Sequence, residues 1–83
     1  MQLSFNTGAP AALRDLRVGE AGIVEKLDLP HDLAHRLMEM GLLPGARVEA
    51  ARSAPGGDPR VYRVDGTEIA LRRETASHVF LRV

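Results

Sequence analysis

Two histidines that lie one helical turn apart are the side chains in this sequence best spaced to bind a metal ion. His31 and His35 are separated by four positions, with Asp32 and Glu39 close by, and on a helix this spacing presents two imidazoles to one transition-metal ion. A complete site also needs a third ligand and hydrogen bonds that orient the ligands. His31 and His35 are therefore weak metal candidates, and the sequence predicts no bound cofactor.

Other residues that could support catalysis are poorly placed for it. The sequence contains no cysteine, which excludes a thiol nucleophile, a disulfide framework and a zinc knuckle. Ser77 and His78 are adjacent at the start of a predicted strand, where neighbouring side chains point to opposite faces, so they cannot form the hydrogen-bonded pair that activates a hydroxyl. Gly56 and Gly57 lack the lysine and helix that follow in a phosphate-binding loop. The chain is therefore predicted not to be an enzyme.

The balance of charges argues against binding to nucleic acid. The 83 residues carry 11 basic and 11 acidic side chains, so the formal net charge is zero, whereas a nucleic-acid-binding domain usually has a basic face. The aromatic residues that could stack on bases are Phe5, Tyr62 and Phe80, too few for a stacking platform. We expect no nucleic acid partner, although a nucleic-acid-binding small barrel stays an alternative because the chain is rich in arginine.

No segment suggests export or insertion into a membrane. Residues 1–6 lack a basic segment followed by an apolar stretch, and no run approaches the ~18 apolar residues of a membrane-spanning helix. The composition, 45% hydrophobic and 27% charged, is that of a globular domain. We therefore expect a small cytoplasmic protein with no direct membrane insertion.

The elements that must position the candidate residues begin after a short leader. Residues 1–12 contain the helix breakers Gly8 and Pro10 and show no apolar periodicity, so they are predicted to be a loose N-terminal leader, and residues 13–83 to be one folded domain. Residues 22–27 form a short run with a β-branched pair, which predicts a strand.

One helix is predicted after this strand. Pro30 suits the first turn of a helix, where its missing N–H costs nothing. Apolar residues then recur at spacings of three and four, as expected for one buried helical stripe. The stripe consists of Leu33, Ala34, Leu37, Met38 and Met40.

A glycine and a tight turn are predicted to end the helix. Gly41 is expected to adopt a left-handed conformation, which would let Leu42 fold back on Leu37. Pro44 and Gly45 occupy the two central positions that a type II turn requires. The chain is thereby turned sharply into the next strand.

From this turn onwards the apolar residues alternate with a period of two, which is typical of half-buried antiparallel strands. Residues 60–64 and 67–69 flank Asp65 and Gly66, a strong signal for a two-residue hairpin. Residues 73–77 suit a single helical turn before a last strand. This order predicts a mostly β fold, a small five-stranded SH3-like barrel with one α-helix inserted between the first two strands and a short helical turn before the last strand.

Four motifs, in order along the chain, resemble those of the FeoA family. They are Leu13-x-x-Leu16-x-x-Gly19, residues 36–45 (RLMEMGLLPG), residues 57–59 (GDP) and residues 69–76 (IALRRETA). The resemblance implies a small cytosolic SH3-like protein of bacterial ferrous iron uptake, which docks on the cytosolic part of FeoB, a membrane GTPase transporter, and modulates its assembly or activity. It implies no catalytic residues.

The predicted partner contacts lie on the helix and the turn that follows it. We expect Arg36, Leu42, Leu43 and Pro44 to contact the transporter, with Leu43 as the outward anchor because Leu42 is needed by the helix cap. A metal-responsive regulatory domain that binds ferrous or another transition metal ion through the two helical histidines stays an alternative. Weak self-association is left open.

Overall fold

The computed structural model describes residues 11–82 of the chain. This part contains five strands and two helices. The elements are β1 (Ala21–Leu27), α1 (His31–Glu39), β2 (Arg47–Ser53), β3 (Arg60–Val64), β4 (Thr67–Leu71), α2 (Arg73–Ala76) and β5 (Val79–Leu81). Single 3₁₀ turns lie at Leu13–Asp15 and Pro55–Gly57. The helix is inserted between the first two strands and a short helical turn precedes the last, as the sequence predicts.

The five strands form one antiparallel sheet in the order β4-β3-β2-β1-β5. The register shifts between Val24 and Lys26, where β1 pairs with β5, and between Ala50 and Arg52, where β2 pairs with β3. Irregularities of this kind bend a strand and increase its twist. The bent sheet confirms the predicted mostly β, SH3-like architecture.

The core is formed by the inward-facing side chains of the strands and by the apolar side of α1. Val48 and Ala50 of β2 are fully buried, and the corresponding positions of β4 and β5 are also buried, as the period of two predicts. Tyr62, Leu13 of the first 3₁₀ turn and Leu16 just after that turn belong to the same buried cluster. The buried cluster therefore draws on every strand of the sheet.

The buried stripe of α1 is shorter than the sequence suggests. Ala34 and Leu37 are buried and Leu33 and Met38 are partly buried, but Met40 is 40% exposed. Helical periodicity places Met40 on the stripe, and this prediction is wrong because the chain reverses at the next residue. The reversal places Leu42, which is 0% exposed, in the core with Leu37.

The described part of the chain begins with two residues that pair with β5. The amide of Leu81 donates to the carbonyl of Ala11 at 2.9 Å, and Ala12 is buried and bridged to Phe80. Residues 1–10 of the predicted leader lie outside the described residues, whereas its last two residues lie along the sheet edge. Within residues 11–82, no helix is long and apolar enough to cross a membrane.

Candidate docking surface

The end of α1 is closed by a Schellman motif centred on Gly41. The amide of Gly41 donates to the carbonyl of Met38 at 3.0 Å, and the amide of Leu42 donates to the carbonyl of Leu37 at 3.1 Å. Gly41 has a φ of +106°, a backbone conformation that residues with a Cβ rarely adopt. The predicted left-handed cap is therefore present, and it sets the direction in which the chain leaves the helix.

The following turn is tied to the sheet at its far end. The amide of Ala46 donates to the carbonyl of Leu43 at 2.9 Å, and Gly45 has a φ of +91°, as expected for a type II turn. Val24 of β1 holds this end from both sides: its carbonyl accepts from the amide of Gly45 at 2.7 Å, and its amide donates to the carbonyl of Ala46 at 2.9 Å. Residues 41–46 are thus anchored to α1 at one end and to β1 at the other.

The two leucines of this segment have opposite environments. Leu43 is 47% exposed, whereas Leu42 is 0% exposed. Leu42 was expected among the residues that contact a partner, but it has no surface to offer, because the cap packs it into the core. Leu43, Pro44 and Arg36 are exposed and remain available for contact.

Leu43 stands at one side of a shallow cleft of about 310 Å³. The cleft is lined by Gly41, Leu43, Ala46, Arg47, Val64 and Asp65. Most of these residues are apolar, and Arg47 and Asp65 add one basic and one acidic side chain. The cleft therefore joins the helix cap to the β3–β4 hairpin, a neighbour that the sequence analysis did not place there.

Exposed apolar surface is concentrated near Gly41. Among residues 11–82, the large apolar side chains that are strongly exposed are Val18, Met40 and Leu43. Two of the three flank the helix cap. Met40 was not predicted to be a surface residue, although its position immediately before the capping glycine signals the end of the buried stripe.

The two helical histidines are exposed and lie close to each other. The rings of His31 and His35 are stacked with centroids 6.2 Å apart, and Nδ1 of His35 is 3.8 Å from Oε2 of Glu39. Within the described residues, no group of three or more histidine, aspartate or glutamate side chains is placed to bind a metal ion. A metal site at His31 and His35 stays a prediction, and the described residues place no third ligand beside the pair.

Ser77 and His78 show no arrangement for catalysis. The hydroxyl of Ser77 donates to the backbone carbonyl of Glu74 at 2.6 Å, so its proton is held by the end of α2. The side chain of His78 is exposed. A nucleophile needs a base in hydrogen-bond contact with its hydroxyl, and the described contacts of Ser77 include none.

Charged side chains on the β2–β4 face pair with each other. Nη2 of Arg52 is 2.7 Å from Oε1 of Glu68, and Nη2 of Arg63 is 3.0 Å from Oε2 of the same carboxylate. These hydrogen bonds, first from Arg52 and then from Arg63, lower the pKa of Glu68 to about 2. The arginines of this face are thus already partnered, which makes the face a poor match for an acidic ligand.

Comparison with known proteins identifies one family. Residues 11–83 match the FeoA domain family. A curated relative is an Fe(2+) transport protein A/Fe(2+) transporter FeoB fusion protein of Porphyromonas gingivalis, which is 28% identical over 67 residues. The match covers 81% of this chain and 8% of the fusion protein, so the chain corresponds to a small part of that relative's length.

Solved structures of similar sequence have the same fold. The solution structure of FeoA from Chlorobium tepidum superimposes with a TM-score of 0.79 at 31% identity, covering 82% of this chain and 65% of that one. FeoA of Stenotrophomonas maltophilia, an SH3 domain protein crystallised with zinc, gives a TM-score of 0.74 at 32% identity, covering 86% and 88%. A manganese-dependent transcriptional repressor, 15% identical with a TM-score of 0.72, shares the fold alone.

Proposed function

The chain belongs to the FeoA family, and from this premise we propose that it serves bacterial ferrous iron uptake by docking on the cytosolic part of a FeoB-like membrane transporter. In this role it acts by binding and not by catalysis, in the cytoplasm. The fusion of a FeoA part to a FeoB part in the P. gingivalis relative supports the choice of partner, because two functions carried on one polypeptide stay at high effective concentration.

The observation that carries this proposal is the half-exposed leucine on an anchored turn. Leu43 is 47% exposed, and its neighbours on both sides are held by backbone hydrogen bonds to α1 and β1. A side chain presented in this way loses little conformational freedom on binding. An exposed apolar patch on a small domain is also a common mark of a partner surface.

The surroundings of Leu43 define the surface that we assign to docking. Met40 and Leu43 supply apolar area, the cleft beside Leu43 offers a recess, and Arg47 adds positive charge at the cleft. Arg36 is a further exposed positive charge on α1. Truncating one leucine at the centre of an interface costs on the order of 1 to 2 kcal/mol, which is about tenfold in affinity. A charge at the same position adds the desolvation of an unpaired carboxylate.

The test is a Leu43→Glu variant in a pulldown against the cytosolic part of the FeoB-like transporter from the same organism. We expect the variant to keep its circular dichroism spectrum and melting temperature, because the side chain lies outside the core, and to lose copurification. Val18→Glu is the matched control, because Val18 is 54% exposed and lies outside the cleft beside Leu43. This control should fold and still bind.

Three outcomes would contradict the assignment. If Leu43→Glu folds and still copurifies, the docking surface lies elsewhere, and the loop of residues 53–59 is the next segment to test. If Leu43→Glu unfolds, Leu43 belongs to the core, and Leu43→Ser then tests docking with a milder change. Equal loss in both glutamate variants would show that any added negative charge prevents binding.

A further inference from the structure

Three arginines from separate parts of the chain converge on a small pocket that shares no residue with the cleft beside Leu43. The pocket has a volume of about 110 Å³ and is lined by Arg14, Gly57, Arg60, Tyr62 and Arg73. We call it the three-arginine pocket. Its lining contains three positive charges and no carboxylate, although the chain as a whole has no net charge. The basic character of the pocket is therefore local.

Arg60 is held in position at this pocket. Its Nη1 donates to the carbonyl of Leu16, and its Nε donates to Oγ of Ser53 at 3.0 Å. A guanidinium has five N–H donors in a planar fork, so further donors remain for another group. Because the side chain is already ordered by these contacts, little conformational freedom is lost when it binds a ligand.

The arginines of this pocket differ from those of the β2–β4 face in their partners. Within residues 11–82, neither Arg60 nor Arg73 has a carboxylate at ion-pair distance, and Nε of Arg14 makes one exposed contact of 3.6 Å with Asp15. Arg52 and Arg63, in contrast, both bind Glu68. Placing like charges together without partners is unfavourable in an isolated domain, and an anion bound between them would remove this repulsion.

Two acidic residues that neighbour lining residues in the sequence, Asp15 and Asp58, accept hydrogen bonds from the backbone. Oδ2 of Asp15 accepts from the amides of Ala11 and Ala12 at 3.3 and 3.1 Å. Oδ1 of Asp58 accepts from the backbone amide of Arg73 at 2.9 Å. Both carboxylates offset part of the positive charge, yet neither lines the pocket.

Tyr62 also lines the pocket, and its hydroxyl adds no negative charge there. Burial raises the pKa of the Tyr62 hydroxyl, and the neighbouring Arg60 guanidinium opposes this shift only in part. The phenol therefore stays protonated at neutral pH, and it donates to the carbonyl of Leu13 at 3.3 Å.

We propose that the three-arginine pocket binds a phosphate group. A phosphate carries a charge of about −1.5 to −2 at neutral pH, and guanidinium groups bind its oxygens through paired hydrogen bonds. The pocket is small, with a volume of about 110 Å³. It holds one tetrahedral oxyanion, so the rest of a phosphate ester lies outside the pocket.

The test is a titration of the ¹⁵N-labelled protein with inorganic phosphate at constant ionic strength, followed by NMR. We expect saturable shifts of the Gly57 and Arg73 amides, with a dissociation constant of about 1 mM. Arms with AMP and with acetate test which anion the pocket recognises: a phosphate monoester should bind within about threefold of inorganic phosphate, and acetate about tenfold more weakly. Shifts that grow equally with chloride would overturn the proposal.

Variants separate the pocket from general surface charge. Arg14→Gln combined with Arg73→Gln should weaken phosphate binding by about tenfold or more and leave the fold intact, because both side chains are exposed. Arg36→Gln and Arg47→Gln, arginines outside the pocket, are the matched controls and should bind as the wild type does. Unchanged phosphate binding in the double variant, or acetate binding as tight as phosphate, would refute the assignment. Leu43→Glu should retain phosphate binding, which separates this proposal from the docking surface.

Discussion

Replacing Gly41 by valine tests whether the left-handed helix cap determines the course of the chain into the docking turn. Gly41 has a φ of +106°, and a Cβ built there meets Cγ1 of Val64 at 3.9 Å, an ordinary van der Waals distance. The substitution therefore causes no collision. Its cost comes from the backbone, because a β-branched residue is strongly disfavoured at positive φ.

The expected loss of stability follows from this conformation. A residue held in a sparsely populated backbone region costs about 1 to 3 kcal/mol. For a domain of this size, 1 kcal/mol corresponds to about 4 to 8 °C in melting temperature. We therefore expect Gly41→Val to lower the melting temperature by roughly 5 to 20 °C.

Thermal and urea denaturation followed by circular dichroism measure this effect. Gly41→Asn is the matched control, because asparagine tolerates positive φ better than valine and should lose less stability. A melting temperature unchanged by valine would show that the helix can end without a left-handed residue. Equal losses for valine and asparagine would place the cost in side-chain contacts and refute the backbone argument.

Two further predictions concern charge and metal. The carboxylate of Glu68, whose pKa is lowered to about 2, stabilises the fold above its ordinary pKa of 4.5, and this contribution is lost as the pH falls through the folded value. Glu68→Gln should therefore flatten the melting temperature against pH across that range, and an identical curve for the variant would contradict the assignment. His31→Ala combined with His35→Ala should change neither melting temperature nor copurification, because both side chains are exposed. Loss of stoichiometric ferrous ion binding in that double variant, titrated without oxygen, would instead show that the pair is a metal site.

Local structure could be predicted wherever neighbouring residues determine it. The two-residue hairpin at Asp65 and Gly66 is present with φ values of +50° and +77°, and its flanking strands follow the predicted alternation. The cap at Gly41 and the type II turn at Pro44 and Gly45 were also predicted correctly. In each case the conformational preference of one or two residues decides the local backbone.

The wrong predictions concern residues at the end of α1, where helical periodicity no longer applies. Helical periodicity placed Met40 in the core, but it describes a helix that continues, and α1 ends at Glu39. The choice between Leu42 and Leu43 as the exposed residue depended on the same reversal. The sequence favoured Leu43 as the anchor, and the difference between 0% and 47% exposure came from the packing of the cap against the core.

Contacts between distant segments were decided by the tertiary structure. Ala12 looked like part of a leader, yet it is buried because the chain before β1 pairs with β5 at the other end of the sequence. Arg14, Arg60 and Arg73 belong to three elements with no common motif, and only the folded chain brings them to one pocket. Periodicity and turn preferences act over a few residues, whereas such convergence depends on which strands pair and in what register. That information is spread over the whole chain, so the sequence alone determined the elements and the fold class, and the folded sheet determined the sites between them.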